Sequence, residues 1–354
     1  MQDKINRKLT KKIQIGNVII GDNNPIAIQS MTNTKTSDVD STVAQILELE
    51  KEGCEIIRVA IPYKEDALAI KKIKDQIHIP IVADIHFDYK LAILSIENGA
   101  DKIRINPGNI GDKDKIKKII DAANMNNIPI RLGVNAGSLE KNILAKYKHP
   151  ISDALVESAT RWINFFENQN FYDIVLSLKS SDTLTNYYSY MKISERFDYP
   201  LHIGVTEAGS EMEGIIKSSA GLGSLLINGV GDTIRISLTG NPLNEVIVAK
   251  ELLQSLNIRH FTPEIISCPT CGRCEINLEN FLKKVKKYIK KINKPLKIAI
   301  MGCVVNGPGE AKEADLGIAG GKKHYVIFKN GIIVEKVKEE NAVEVFLKYL
   351  KEYY

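Results

Sequence analysis

The sequence predicts an α/β protein, with a (β/α)8 TIM-like barrel over residues 1–258 and a small α+β domain over residues 259–354. Two observations predict this architecture. Eight short β-rich runs alternate with longer segments of helical period in the first part of the chain. After about residue 258 the alternation stops, and the patterns of a loop, a helix and a hairpin follow.

The eight β-rich runs are separated by turn dipeptides such as NG, GD and NP. Segments between them, including STVAQILELEKEGC, carry apolar residues three and four positions apart, which predicts helices. An open parallel sheet would show the same local pattern and stays an alternative, although no G-x-G-x-x-G follows the first run. In chain order the runs are PIAIQSM (25–31), CEIIRVAI (54–61), IPIVADI (79–85), DKIRIN (101–106), IPIRLGV (128–134), YDIVLSL (172–178), PLHIGV (200–205) and DTIRISL (232–238).

The C-terminal domain has a different order of elements. RHFTPEIISCPTCGRC predicts a loop, LENFLKKVKKYIKKI an amphipathic helix with a solvated lysine face, and PLKIAIMGC a buried strand. KHYVIFKNGIIVEKVK predicts a hairpin that turns at Asn330-Gly331, and AVEVFLKYLKEYY a final helix.

Composition and charge exclude several classes of protein. The chain is 44% hydrophobic and 26% charged, which is ordinary for a globular protein. Its 48 Lys and Arg against 43 Asp and Glu are too balanced to indicate a nucleic-acid partner. No apolar run approaches the roughly 18 residues of a membrane span, and the basic N-terminus lacks the apolar stretch of a signal peptide. We expect a cytoplasmic protein whose thiols stay reduced.

Charged and polar residues collect at the ends of the predicted barrel strands, where the chemistry of such barrels is found. Arg58, Arg104, Arg131, Arg235 and Lys179 are cationic, whereas the acidic residues there are too few to neutralise them. One buried arginine is more often part of a structural ion pair, but five converging cations indicate an anionic substrate, best a diphosphate. The polar and acidic residues at the same strand ends are Gln29, Asp84, His86, Asn106, Asn135, Thr206, Glu207 and Ser237.

Cysteines indicate a metal centre in the second domain. Cys268, Cys271 and Cys274 form C-x2-C-x2-C, and Cys303 follows in a glycine-rich segment. Four thiolates fit either a closed zinc site or an iron–sulfur cluster, and the spacing favours the cluster because zinc ribbons pair two C-x2-C motifs. The fourth ligand is Cys274, as spacing alone favours, or Glu310, a carboxylate that would hold iron less tightly.

Eight stretches between Ile28 and Gly321 form a recognisable series. In chain order they are IQSMTNT, ADIHFDYKLA, KIRINPGNIG, RLGVNAGSLE, HIGVTEAG, GDTIRISL, SCPTCGR and MGCVVNGPGEAKEADLGIAGG. They resemble, in the same order, the hydroxymethylbutenyl diphosphate synthases of the methylerythritol phosphate route to isoprenoids. The resemblance implies a two-domain, homodimeric [4Fe–4S] oxidoreductase that opens 2-C-methyl-D-erythritol 2,4-cyclodiphosphate reductively. The implied product is 4-hydroxy-3-methylbut-2-enyl diphosphate, with single electrons supplied by flavodoxin or ferredoxin.

The same resemblance assigns roles to individual residues. It places the cluster ligands at Cys268, Cys271, Cys303 and Glu310, and a proton donor near the reacting carbons at Glu207. Cys274 has no counterpart that the family pattern requires, so an all-cysteine ligand set stays open. The implied diphosphate contacts are Arg58, His86, Arg104, Arg131, Asn135, Lys179, Arg235 and Ser237.

Overall fold

The structure is a computed structural model that describes residues 5–147, 151–292, 294–303 and 311–354. It divides into two units, Met1–Leu256 and Asn257–Tyr354, and each is described by itself. In the described ranges no helix is both long enough and apolar enough to cross a membrane.

The described residues of the first unit form ten strands and ten α-helices. The strands are β1 (Ile13–Ile15), β2 (Val18–Ile20), β3 (Ala27–Met31), β4 (Ile56–Ala60), β5 (Ile81–Ile85), β6 (Lys102–Ile105), β7 (Ile130–Asn135), β8 (Ile174–Lys179), β9 (His202–Ile203) and β10 (Thr233–Ile234). The helices are α1 (Val39–Glu52), α2 (Lys64–Lys74), α3 (Tyr89–Glu97), α4 (Pro107–Ile110), α5 (Lys113–Asn126), α6 (Lys141–Lys146), α7 (Ile151–Glu167), α8 (Thr183–Arg196), α9 (Glu211–Ile227) and α10 (Pro242–Ser255).

Strands β3 to β10 form one parallel sheet in the order β8-β7-β6-β5-β4-β3-β10-β9. A parallel bridge between Leu176 and Leu201 joins the two outer strands, so the sheet curls round to a nearly closed barrel. Each predicted run overlaps one of these strands, and the barrel is confirmed over the open sheet.

A short hairpin, β1–β2, was not predicted. Gly16-Asn17 forms its two-residue loop, with Gly16 at a positive φ of 54°. Its inward side chains Ile13, Ile15 and Ile20 share one apolar cluster with residues at the starts of barrel strands, namely Ala27, Ile56, Val82 and Val175. Since apolar side chains fill the N-terminal end of the barrel, its polar interior lies toward the C-terminal ends of the strands.

In the second unit the described residues form a five-stranded sheet with two α-helices packed on it. Its order is β11-β12-β13-β14-β15, parallel in the first three strands and antiparallel in the last three. The elements are β11 (Glu264–Ser267), α11 (Leu278–Ile289), β12 (Lys297–Met301), β13 (Leu316–Gly321), β14 (His324–Lys329), β15 (Ile332–Lys338) and α12 (Ala342–Lys351).

Most of this unit is as predicted, including the Asn330-Gly331 turn, where both residues have positive φ. One prediction was wrong, because the segment before the cysteines, predicted as a loop, contains β11. Strand β13 lies in a glycine-containing segment to which no element was assigned. Packing requires glycine at position 317 of β13, because a Cβ there would collide with the ring of Phe328 on β14.

Candidate functional site

The barrel interior holds a cluster of buried charges carried by alternate residues of neighbouring strands. Asp84, Arg104 and Arg131 stand in register on β5, β6 and β7. All three are nearly inaccessible, with Arg131 only 1% exposed, and Arg58 and Lys179 are also buried. The predicted cations therefore converge as expected from the parallel register.

Asp84 is the counter-charge at the centre of this cluster. Its carboxylate accepts a hydrogen bond from Arg104 Nη1 at 2.9 Å and lies 3.7 Å from Arg58 Nε and 3.5 Å from His86 Nε2. Burial alone would raise the pKa of Asp84, but the charges of Arg58 and Arg104 outweigh it and hold that pKa well below its usual range. Asp84 is therefore ionised, and it fixes the two guanidinium groups.

Lys179 has a neutral partner, His202, which the sequence did not single out. Lys179 Nζ lies 3.3 Å from His202 Nε2, and His202 Nδ1 lies 2.7 Å from Thr233 Oγ1. Burial, together with the charge of Arg131, lowers the pKa of both Lys179 and His202 well below the usual values. The neighbour of Lys179 is thus an imidazole, and within the described ranges no carboxylate forms an ion pair with Lys179. The sequence signal that could have revealed His202 was a polar residue inside the apolar run PLHIGV.

Arg235 pairs with Glu245 of α10, a second carboxylate that sequence reasoning missed. Arg235 Nη2 lies 3.2 Å from Glu245 Oε1, and Ser30 Oγ donates to Glu245 Oε2 at 3.1 Å. Glu245 lies in the first turn of α10, where acidic residues are common, so its position in the sequence did not indicate that it belongs to this cluster.

Lys102 is a further buried cation that was missed, two residues before Arg104 on β6. It is 0% exposed, and burial with the charges of Arg131 and Arg58 lowers its pKa well below the usual value. Within the described part of the chain Lys102 Nζ, Arg131 Nε and Arg131 Nη1 have no hydrogen-bond partner. In the described barrel interior two carboxylates, Asp84 and Glu245, thus face six basic side chains. These are Arg58, Lys102, Arg104, Arg131, Lys179 and Arg235.

The excess of positive charge predicts that Lys102→Met stabilises the barrel. Burial lowers the pKa of the Lys102 amine, whereas in the unfolded chain the amine binds its proton freely, so its cost to stability shrinks as pH rises toward the unfolded pKa of about 10.4. We expect the free energy of unfolding to rise by about 1–4 kcal/mol at pH 7 and by less at pH 9. Urea titration followed by fluorescence of Trp162, the single tryptophan, measures it.

The control for this prediction is Lys72→Met on the exposed face of α2, which should change stability by less than about 0.5 kcal/mol. A Lys102→Met variant that is less stable than the native chain at pH 7 would contradict the assignment of Lys102 as a buried amine without a compensating partner.

Glycine at position 204 leaves room for the Lys179 side chain. A Cβ at Gly204, at the end of β9, would lie 2.6 Å from Lys179 Nζ and 2.8 Å from the carbonyl oxygen of Arg235. A larger residue there would displace backbone as well as the ammonium group, so Gly204 is needed for Lys179 to reach its position.

Of the remaining predicted barrel residues, Gln29 and Asn106 are buried. The others are half-buried or exposed and lie at the rim. His86 is exposed at 48% of its side chain, and its Nε2 lies 3.0 Å from Arg104 Nη1. Asn135 and Ser237 are half-buried at the ends of β7 and β10. Glu207 is exposed on the loop after β9 with φ of 52°, a left-handed conformation that costs a non-glycine residue energy. Such strain is typical of functional loops.

In the second unit the cysteines follow two adjacent parallel strands. Cys268 comes directly after β11 and Cys303 two residues after β12, and the register pairs Ser267 with Ile300. The backbone N–H of Gly302 donates to Cys268 Sγ at 3.1 Å. Cys271 is exposed, and hydrogen bonds from Arg273 lower the pKa of its thiol.

This donor set fits thiolate ligation of an iron–sulfur cluster, in which N–H groups donate to the sulfurs. No group of three His, Cys, Asp or Glu side chains in the described ranges is close enough to hold a metal ion. Glu310, the predicted fourth ligand, lies outside those ranges.

Two family descriptions cover most of the chain. Residues 10–250 match the GcpE TIM-barrel domain, and residues 264–352 match the GcpE protein C-terminal domain. The chain belongs to the GcpE family. The resemblance read from the sequence motifs is thereby confirmed.

GcpE relatives are similar over almost their whole length. One from Caldanaerobacter subterraneus subsp. tengcongensis is 57% identical over 98% of this chain and 97% of its own. Another, from Caldicellulosiruptor saccharolyticus, is 56% identical over 98% of this chain and 99% of its own. Both are named 4-hydroxy-3-methylbut-2-en-1-yl diphosphate synthase (flavodoxin).

Among solved structures, a dihydropteroate synthase from Stenotrophomonas maltophilia superimposes with a TM-score of 0.51. It is 14% identical and covers 70% of this GcpE chain and 98% of its own. At that identity the likeness shows a shared barrel fold and nothing about chemistry.

Proposed function

We propose that this chain is a 4-hydroxy-3-methylbut-2-en-1-yl diphosphate synthase, an iron–sulfur oxidoreductase. It opens the ring of 2-C-methyl-D-erythritol 2,4-cyclodiphosphate and forms 4-hydroxy-3-methylbut-2-enyl diphosphate. Two electrons and two protons enter the reaction, and one water leaves. The observation that carries the proposal is the buried cationic cluster, whose excess charge a diphosphate neutralises, in a chain 57% identical to a synthase of that name.

The interior cations hold the diphosphate in this proposal. Arg131 offers Nε and Nη1, which lack a protein partner in the described ranges, and guanidinium forks match phosphate oxygens. Asp84 keeps Arg58 and Arg104 oriented before substrate arrives, so little reorganisation is needed when the ring opens. His86, Asn135, Lys179, Arg235 and Ser237 complete the proposed set of contacts.

Cys268, Cys271, Cys303 and Glu310 would hold the [4Fe–4S] cluster, which supplies the two electrons one at a time when bound. Glu207 would hold a proton at its carboxyl group for the departing oxygen, because it is the acidic group on the strained loop after β9. The same proposal includes flavodoxin as electron donor, which the names of the relatives support, together with a cytoplasmic homodimer.

The experiment is anaerobic purification with iron and sulfide analysis, followed by assay of the cyclodiphosphate with a reduced one-electron donor. We expect the native protein to form product. In Glu207→Gln we expect kcat to fall by about 10²–10⁴-fold while substrate affinity is kept, because the amide cannot donate an acidic proton. Glu211→Gln, an exposed first-turn residue of α9, is the matched control and should behave as native.

Two outcomes would count against the proposal. Absence of product from protein with an intact cluster would reject the reaction itself. Colourless protein with zinc and no iron would favour a phosphate-binding barrel lyase with a structural metal site.

A further inference from the structure

Cys274, the cysteine that the family pattern does not require, lies beside Cys268 in the second unit. A Cβ at Gly302 would be 2.5 Å from Cys274 Sγ and 3.5 Å from Cys268 Sγ. The two sulfurs are therefore no more than about 6 Å apart, against the roughly 2 Å of a disulfide bond. Only glycine at position 302 lets both sulfurs approach the same stretch of backbone.

The two sulfurs also share their surroundings. Cys268 and Cys274 are half-buried and pack against the same apolar core under α11 and α12, whereas Cys271 is exposed and outside that core. The two sulfurs make different hydrogen bonds. The Gly302 N–H donates to Cys268 Sγ, whereas Cys274 Sγ donates to the Ile276 carbonyl oxygen at 3.2 Å. The backbone N–H of Cys274 bonds to the Cys271 carbonyl oxygen, so the chain already turns back between the partners.

We propose that Cys268 and Cys274 form a disulfide when the chain carries no cluster and meets a peroxide. The bond closes across Gly302 and occupies the thiol of Cys268, one of the proposed cluster ligands. The disulfide itself follows from the sulfur geometry; its effect on cluster loading rests on the proposed function.

The redox chemistry balances with hydrogen peroxide as the oxidant. One thiolate attacks a peroxide oxygen, breaking the O–O bond to give a sulfenic acid and hydroxide. The second thiol then attacks that sulfur, the S–S bond forms, and water leaves. Two thiols lose two electrons and two protons in total, and one peroxide becomes two waters.

Trypsin makes the test direct, because Arg273 separates Cys274 from the other two cysteines of the motif. Cleavage after Arg259, Arg273 and Lys283 yields HFTPEIISCPTCGR and CEINLENFLK. We expect anaerobically stripped full-length protein, treated with hydrogen peroxide and alkylated, to give these peptides joined to one another. Dithiothreitol should separate them, and Cys271→Ser should still give the joined pair.

Other linkages would overturn the proposal. A bond within the first peptide, between Cys268 and Cys271, or a bond from either peptide to the one that carries Cys303, would show that Cys274 is not the preferred partner. No cross-linked peptide after peroxide treatment would do the same. None of these measurements needs substrate or turnover, so failure of the disulfide is distinct from failure of the proposed reaction.

The consequence is measured by cluster uptake. After peroxide, native protein should fail to bind iron and sulfide until dithiothreitol is added, as followed by visible absorbance and iron content. Cys274→Ser should load its cluster after the same treatment, and Cys54→Ala, which changes a buried barrel thiol, should behave as native. Equal loss of uptake in Cys274→Ser and native protein would reject the role of Cys274.

Discussion

We expect replacement of Cys303 by serine to abolish turnover and cluster content, and replacement of Cys274 by serine to leave both nearly unchanged under anaerobic conditions. Removing even an outer partner of a metal ligand costs about 10–100-fold, so loss of a ligand should exceed 100-fold. Cys303 is buried at the end of β12, beside the Gly302 amide that donates to Cys268, so no other thiol can take its place without moving the strand end.

Glu310→Ala completes this comparison. We expect a large loss of turnover with part of the cluster retained, because three thiolates still hold it. Iron and sulfide content, visible absorbance and the rate of product formation are measured for all three variants. Normal turnover of Glu310→Ala, together with cluster loss in Cys274→Ser, would show that the fourth ligand is Cys274.

Replacing Asp84 by asparagine should lower the free energy of unfolding of the barrel by about 3–5 kcal/mol at pH 7, because it leaves Arg58 and Arg104 buried without their counter-charge. The native contribution depends on pH in a defined direction. The folded pKa of Asp84 lies well below the unfolded value of about 3.9, so the stabilisation is fully present above about pH 4 and is lost as pH falls below that toward the folded pKa.

Urea unfolding followed by Trp162 fluorescence measures this effect, since Trp162 lies in α7 of the barrel. Asp153→Asn is the matched control: Asp153 pairs with Lys192 at 2.7 Å on the surface, and its loss should cost less than about 1 kcal/mol. If the Asp84 variant were as stable as the control, the carboxylate would not be the counter-charge of the arginine cluster.

Local sequence patterns were sufficient for most of the barrel. Eight β-rich runs with helical segments between them predict strands whose alternate residues share one face, and parallel pairing brings their carboxyl ends together. Arg58, Arg104 and Arg131 were therefore found from strand position alone. The β1–β2 hairpin was missed although IQIGNVII alternates and contains a Gly-Asn turn, because it lies before the first barrel run.

The sequence missed the partners of Arg235 and Lys179. Glu245 lies in the last helix of the barrel and His202 in a two-residue strand, and neither has a neighbour in sequence that reveals its partner. Lys102 was not singled out, because it lies at the start of a run and not at its end, and the structure shows that β6 carries it inside the barrel. Periodicity tells which residues share a face of one element, but not which residue of another element that face meets.

The amino-acid pattern was enough to predict the succession of barrel strands, the convergence of cations at one end of the barrel and the family to which the cysteine motif belongs. The packed fold was needed to see that Asp84 and Glu245 compensate the cations, that Lys102 lies among them, and that Cys274 Sγ approaches Cys268 Sγ across Gly302. Strand and helix periods are local properties of the chain, while charge compensation and sulfur proximity depend on distances between segments that only the packed fold brings together.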